Sequence, residues 1–299
     1  MSGQRAEIGF IGLGQMGAPM AARLLADDVL LHVHDANPEA MAHFAARGAE
    51  AHGSPRAVAD AASVVFACLP GQAISRSVAE TAAGGRAVRA YAEMSTIGRE
   101  AMAAVAATMA AHGVLAVDAP VSGGPPGARA GTLAMMAAGA PEAVALVRPW
   151  LARIGRAVFV IGETPGMAQT MKLVNNLLIA TNLAAAFEAL VMGAKAGLDP
   201  DLMLEVINAS TGRSMVTEAI VPKAILSGSF DFGAATTIIA KDAELGVAEA
   251  RALGVPAWTI EQAARLWKLG VLEGYGRADM TEVIRLLERW AGAEVRSRA

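Results

Sequence analysis

The chain has 299 residues, of which 54% are hydrophobic, 18% charged and 4% aromatic, and a formal net charge of −3. That length holds two domains or one large one, and the near-neutral balance without a long run of one sign argues against a nucleic-acid partner. A single cysteine, Cys68, excludes an intrachain disulfide framework and fits a reducing, cytoplasmic setting, with the thiol acting as a small buried hydrophobe after a strand.

Much of the apolar content is alanine and other small residues. No run of about 18 residues reads as both strongly apolar and uninterrupted, so no membrane span is expected. The N-terminus leads directly into a strand-like segment, with no basic and hydrophobic signal peptide ahead of it.

Residues 7–11 read as a buried strand that runs into Gly12-Leu13-Gly14-Gln15-Met16-Gly17, a G-x-G-x-x-G. A helix is predicted over about residues 15–26, then a strand over 30–34 that ends at Asp35. A G-x-G-x-x-G alone is a weak signal, but strand, glycine turn, helix, strand and acid in that order define a dinucleotide fingerprint. Gly12 permits the tight turn, Gly14 the approach of backbone to a pyrophosphate, and Gly17 close helix–strand packing, while the helix N-terminus offers N–H groups to phosphate. Asp35 lies 18 residues past Gly17, where a carboxylate holds a ribose hydroxyl. The next arginine is Arg47, well along a helix, so the spacing favours NAD over NADP. The plainer reading of Asp35 is a turn or cap residue ahead of the Asn37-Pro38 helix start.

Strands are predicted at 63–67, 91–94, 114–117, 133–137 and 158–160, with helices between them, which makes a doubly wound α/β sheet of about 160 residues. Ligands collect at the carboxyl ends of such strands, so Leu69, Pro70, Ser95, Thr96 and the segment after Asp118 are pocket candidates. Beyond 162–166 the strand signal stops. The expected organisation is a Rossmann-type dinucleotide-binding domain over 1–164 and an all-α substrate and oligomerisation domain over 165–299, joined by a long helix.

In the segment after Asp118, Ser122-Gly123-Gly124 can present a hydroxyl and consecutive backbone N–H groups to an anion such as a substrate carboxylate, although its glycines and prolines equally suit an ordinary surface loop. The stretch 166–176 opens an apolar helical run that reaches about Gly193. Gln169, Lys172 and Asn176 share one face of it. Polar groups on a buried helix need a reason, but a lysine can also snorkel to the surface. All five histidines lie within the first 112 residues and all five lysines after residue 171, so if the second half supplies a proton-transfer group, histidine is not available there and lysine is. Lys241-Asp242 by itself reads as a solvated pair, and Phe230-Asp231-Phe232 as a stretch able to line a pocket. The C-terminal helix, over about 280–290, is amphipathic, with Val283, Leu286, Leu287 and Trp290 on one face and Glu282, Arg285, Glu288 and Arg289 on the other.

Four blocks in order, residues 12–21, 118–133, 166–176 and Lys241-Asp242, together resemble the β-hydroxyacid dehydrogenase family across essentially the whole chain. That family includes 3-hydroxyisobutyrate dehydrogenase and tartronate semialdehyde reductase and is related to 6-phosphogluconate dehydrogenase. The second and third blocks are far more specific than the first. The resemblance implies an NAD(P)-dependent oxidoreductase moving hydride between nicotinamide and a short 3-hydroxy acid of the 3-hydroxyisobutyrate or 2-hydroxy-3-oxopropionate type. It assigns the substrate carboxylate to Ser122, Gly123 and Gly124, general acid/base chemistry to Lys172, and the substrate to Asn176 with help from Asn175. Thr96 would touch the nicotinamide end and Lys241 would close over the cofactor. No metal, nucleic acid or membrane is implied, and the apolar content favours a homodimer or homotetramer. Departures are few. Asp27-Asp28 stands where relatives have glycine, which an aspartate can replace in a left-handed cap, and Glu93 stands where aspartate is common. Other readings are an imine reductase of the same architecture, against which Lys172 argues, and a dinucleotide-binding module without catalysis.

Overall fold

A computed structural model of the chain describes residues 5–297. Two compact units emerge, residues 1–172 and 173–299, and the division falls inside one long helix. The sequence-based boundary at 164/165 lies just ahead of that helix.

The first unit is built on β1 (Ala6–Ile11), β2 (Val29–His34), β3 (Glu50–Ala51), β4 (Val64–Ala67), β5 (Ala90–Glu93), β6 (Leu115–Asp118), β7 (Val121–Ser122), β8 (Ala134–Ala138) and β9 (Ala157–Gly162). The sheet order is β3-β2-β1-β4-β5-β6-β8-β7, with β9 also paired to β8. From β3 to β6 all pairs are parallel. Strand β8 then runs antiparallel to β6 and β7, and β9 runs parallel to β8. The order reverses between β1 and β4, which opens the crevice where such sheets bind ligands.

Parallel strands bury both faces, and the side chains sort accordingly. Ile8, Phe10 and Phe66 join one core with Met20, Leu24 and Phe44. Ile11, Val65 and Ala67, facing the other way, join Val58, Tyr91 and Met102. The covering helices are α1 (Gly17–Ala22), α2 (Pro38–Ala45), α3 (Pro55–Ala61), α4 (Gln72–Ala83), α5 (Arg99–Ala111), α6 (Gly124–Ala130) and α7 (Pro141–Ile154). Helices α2 and α3 start as their sequences dictate: Asn37 and Ser54 accept from backbone N–H groups at the cap, and proline follows.

Three expectations need correction here. Helix α1 is shorter than the predicted span. The 118–133 segment is no plain loop, because it forms β7 and α6. Asp27 and Asp28 adopt no left-handed cap, since Phe230 alone among described non-glycine residues has positive φ. Asp28 instead meets Arg153 in a bidentate pair at 2.5 and 3.0 Å.

Helix α8 (Met167–Lys195) begins in the first unit and continues through the second. It is long and apolar enough to cross a membrane by length and composition, contrary to the sequence expectation. Its buried positions are core positions: Leu183, Phe187 and Leu190 pack with Ile220, Trp267, Val283 and Leu286 in the second unit. The same helix leaves Met171, Val174, Leu178 and Met192 exposed, so it is not buried all round.

The second unit continues with α9 (Pro200–Asn208), a π-helical segment (Val216–Leu226), α10 (Thr236–Ala252), α11 (Trp258–Gly270) and α12 (Ile284–Ala291). Trp267 is fully buried, lies edge-on to Phe187 and donates from its indole nitrogen to the Ala180 carbonyl at 3.1 Å. The C-terminal amphipathic pattern holds for Val283 and Leu286 but not throughout. Trp290 is exposed, while Glu288 is buried and binds Arg296 at 2.8 Å and the Val295 N–H. Phe230 stacks beneath Arg285 and Arg296, with guanidinium carbons 4.1 and 4.5 Å from its ring centre, so it packs against the C-terminal segment and, with Arg285, Glu288, Arg289 and Arg296, lines an open pocket there.

Candidate functional site

The glycine turn between β1 and α1 separates three geometric roles. Gly12 has φ +92°, and a Cβ there would lie 2.2 Å from the Cys68 carbonyl oxygen. A Cβ on Gly17 would lie 1.9 Å from the Gly12 carbonyl oxygen. Gly14 is different, because a Cβ there meets nothing within 4 Å. Two glycines are therefore required by the protein's own packing, and the third borders open space that a phosphate can approach. Helical hydrogen bonding starts here, with Ala18 N–H on the Gly14 carbonyl at 2.9 Å, and the first N–H groups of a helix have no intrahelical partner. Asp35 clamps the turn: its Oδ2 accepts from Leu13 N–H at 2.5 Å and its Oδ1 from Asn37 N–H at 2.7 Å. The turn and cap reading of Asp35 thus holds as a contact, and its half-buried carboxylate also stands at the end of β2 where a ribose would lie.

Leu69 and Pro70 follow β4, and Leu69 N–H donates to Ser95 Oγ at 2.7 Å, tying the carboxyl ends of β4 and β5 together. Thr96, next along, is half-buried. So Gly12, Leu13, Gly14, Gln15, Met16, Gly17, Asp35, Leu69, Pro70 and Thr96 all follow carboxyl ends of parallel strands at one edge of one sheet. These residues fit a nicotinamide dinucleotide.

Beside them lies a buried polar network that the sequence reading did not foresee. Asp118, at the end of β6, accepts from Gly166 N–H and Gln169 N–H at 2.9 Å each through Oδ2, and from Gln169 Nε2 at 2.8 Å through Oδ1. It therefore caps the start of α8 with a carboxylate, the favourable sign at a helix N-terminus. Gln169 is spent in full: its Oε1 accepts from Ile97 and Gly98 N–H at 2.8 and 3.0 Å, and its Nε2 also donates to the Ser95 carbonyl at 3.0 Å. Although on the expected face with Lys172, Gln169 has nothing left to give a ligand.

Glu93 neighbours Asp118 in the β5–β6 register and accepts from Ser95 N–H at 3.0 Å. Burial pushes its carboxyl up to about 7 against the pull of the Ser95 hydrogen bonds, and the Asp118 charge adds to the rise. Burial likewise raises Asp118 to about 6, despite the bonds from Gln169 and Gly166. The sequence signal for this latch was a glutamine in the first turn of a buried helix: its carboxamide had to find partners, and a strand-end aspartate was the nearest class of candidate.

Ser122 is half-buried at the end of β7, and Gly123 and Gly124 are exposed with φ of +131° and +61°, a backbone that requires glycine. They lead directly into α6, so the anticipated anion cradle is a strand-to-helix turn. Lys172 closes the first unit, half-buried rather than buried.

The remaining predicted residues belong to the second unit. Asn175 Nδ2 donates to Asn176 Oδ1 at 3.1 Å, and Asn176 Nδ2 donates to Asp242 Oδ2 at 2.6 Å. The other oxygen of Asp242 takes the Lys241 ammonium at 2.7 Å. Asp242 is only 4% exposed, so the Lys241-Asp242 pair is not the solvated one its sequence suggested. Asp242 orients both Asn176 and Lys241.

The family profile for the NAD-binding domain of 6-phosphogluconate dehydrogenase matches residues 7–162, and that for the NAD-binding domain of NADP-dependent 3-hydroxyisobutyrate dehydrogenase matches residues 166–287. The chain is 38% identical to 2-(hydroxymethyl)glutarate dehydrogenase of Eubacterium barkeri over 97% of each chain. It is 36% identical to 3-hydroxyisobutyrate dehydrogenase of Pseudomonas aeruginosa over 83% of this chain and 86% of that one. The solved 3-hydroxyisobutyrate dehydrogenase of Mycobacterium tuberculosis superposes with a TM-score of 0.87 at 30% identity, covering 95% of this chain and 99% of that one. Solved imine reductases at 16% and 22% identity share the fold alone. The chain belongs to the β-hydroxyacid dehydrogenase family. It is an oxidoreductase that acts on CH–OH groups with a nicotinamide dinucleotide.

Proposed function

We propose that this enzyme oxidises the C3 hydroxyl of a short 3-hydroxy acid, and runs in reverse, with Lys172 as the proton-transfer residue. The bound dinucleotide supplies the nicotinamide ring that accepts or returns the hydride. Gly14 and the start of α1 hold its pyrophosphate, Asp35 its adenosine ribose, and Leu69, Pro70 and Thr96 flank it towards the nicotinamide end. Ser122, Gly123 and Gly124 hold the substrate carboxylate through the hydroxyl and backbone N–H groups. In oxidation the neutral amine of Lys172 takes the hydroxyl proton; in reduction its ammonium returns a proton to the developing alkoxide. Asn176 orients the substrate through the N–H that Asp242 leaves unused.

Two observations support NAD as the preferred cofactor: the Asp35 carboxylate at the end of β2, which repels a 2′-phosphate, and the Arg47 guanidinium, which lies over the Phe44 ring 5.7 Å from its centre. The exposed apolar side chains Met171, Val174 and Leu178 on α8 support a homo-oligomer.

The observation that carries the reading is Gly14, a glycine facing open space between two glycines that packing alone demands. The test is absorbance at the NADH band, with NAD and NADP offered separately against 3-hydroxyisobutyrate, 2-(hydroxymethyl)glutarate, glycerate, serine and threonate. Turnover with NAD and one of these acids is expected. Lys172→Ala should lower kcat by about 10²–10⁴-fold with NAD affinity unchanged; a variant that kept most of its rate would remove Lys172 from the mechanism.

A further inference from the structure

At the free edge of the sheet, away from the strand ends just described, two histidines and two glutamates converge on one face. Pairing of β2 with β3 sets Glu50 beside His32, and His52 follows two residues on. His32 is 2% exposed. Its Nδ1 lies 2.9 Å from His52 Nε2 and 3.5 Å from Glu50 Oε2. The three ligand atoms, one from each residue, all lie within 4.8 Å of one another. On the far side of the ring, His32 Nε2 faces Glu7 Oε2 of β1 at 3.6 Å and makes no hydrogen bond. The His52 backbone is fixed in turn, with its N–H on the Val33 carbonyl at 2.9 Å and its carbonyl 2.8 Å from His34 Nδ1.

We propose that His32, His52 and Glu50 form a binding site for a borderline divalent metal ion of the zinc type, which staples the two-residue strand β3 to β2. Two imidazole nitrogens and one carboxylate oxygen are a donor set zinc favours, with water in the fourth position. Bonds of about 2.05 Å in tetrahedral array set two nitrogens about 3.3 Å apart, so the His32–His52 pair needs to open by only a few tenths of an ångström. The arrangement also accounts for Glu7. With Nδ1 on the metal, the proton of His32 is confined to Nε2, and a carboxylate facing that N–H is the usual outer partner of a metal-bound imidazole. The bare alternative, a hydrogen bond between the two rings, leaves Glu7 facing Nε2 in the same way but gives Glu50, 3.5 Å from Nδ1, no part. His52 is half-buried and Glu50 is exposed, so an ion can enter from solvent.

The test uses the full chain without a histidine tag, stripped of metal and titrated calorimetrically with zinc, with cobalt absorbance as a second readout. One zinc per chain at micromolar affinity or tighter is expected, with a tetrahedral cobalt spectrum and a raised Tm. His52→Asn and Glu50→Gln, both at the accessible side, should each weaken binding at least tenfold. Glu7→Gln should weaken it about 10–100-fold without removing a ligand. His32 is left intact, because changing it disturbs the core. Absence of stoichiometric binding, or binding that survives His52→Asn unchanged, overturns the proposal.

Discussion

Glu93 and Asp118 stand side by side in adjacent strands, and their burial makes stability depend on pH in an unusual direction. Burial raises the Glu93 carboxyl from 4.5 to about 7. Below pH 4.5 the folded and unfolded chains both hold this proton. Between pH 4.5 and 7 the unfolded chain releases it and the folded chain keeps it, so stability falls as pH rises, by about 3 kcal/mol once the folded group has ionised. Asp118, raised to about 6, adds a smaller loss of the same sign, and the two titrate as a pair. Glu93→Gln keeps an acceptor for Ser95 N–H and removes the charge. Urea denaturation should find it equal to the parent near pH 4 and more stable by up to about 3 kcal/mol at pH 8; an unchanged pH slope would refute the assignment. None of this was legible in the sequence, where Glu93 showed only as an acid in place of a commoner one. Its pKa depends on what surrounds the end of β5, and a local pattern does not carry that.

At the scale of elements, the glycine turn and the latch on α8 make separable predictions. Gly14→Ala adds a methyl that meets nothing within 4 Å, so Tm should hold while NAD affinity falls at least tenfold, readable by calorimetry. Gly17→Ala drives a methyl against the Gly12 carbonyl and should cost enough stability to lower soluble yield. Loss of fold in both variants, or retention of NAD affinity by the first, would contradict the division of roles. The packing roles of Gly12 and Gly17 were legible because each follows from a fixed offset within a strand–turn–helix. The latch was only half legible: periodicity put Gln169 on a buried face, but its partners Asp118, Ser95, Ile97 and Gly98 lie 51 to 74 residues away. Gln169→Leu strands two buried N–H groups and a carboxylate oxygen, at a cost of about 3–5 kcal/mol. Urea midpoints should show that loss, and a Gln15→Leu control, at an exposed position, should show almost none.

For the molecule as a whole, the alternation of strands and helices made the two-part organisation readable, since periods of 2 and 3.6 residues are local. The antiparallel β7–β8 extension was not readable, because nothing in a short apolar run states its direction. What the division at residue 172 means for stability follows from its place inside α8, where hydrogen bonds from each residue to the fourth before it run across the boundary without a loop. A helix interior is cooperative, so melting one half exposes the other to fraying, and the expectation is a single unfolding transition for both units. The four tryptophans make this measurable. Trp150 lies in the first unit, whereas Trp258, Trp290 and the fully buried Trp267 lie in the second. NAD at a hundred times its Kd adds about 2.7 kcal/mol to the native state, and the residues proposed to hold it are nearly all in the first unit. If α8 couples the units, tryptophan fluorescence from the second should shift in denaturant with NAD by the same amount as far-ultraviolet circular dichroism from the whole chain. A dichroism transition that moves while fluorescence stays in place would mean that the two cores melt independently and that α8 breaks at the boundary.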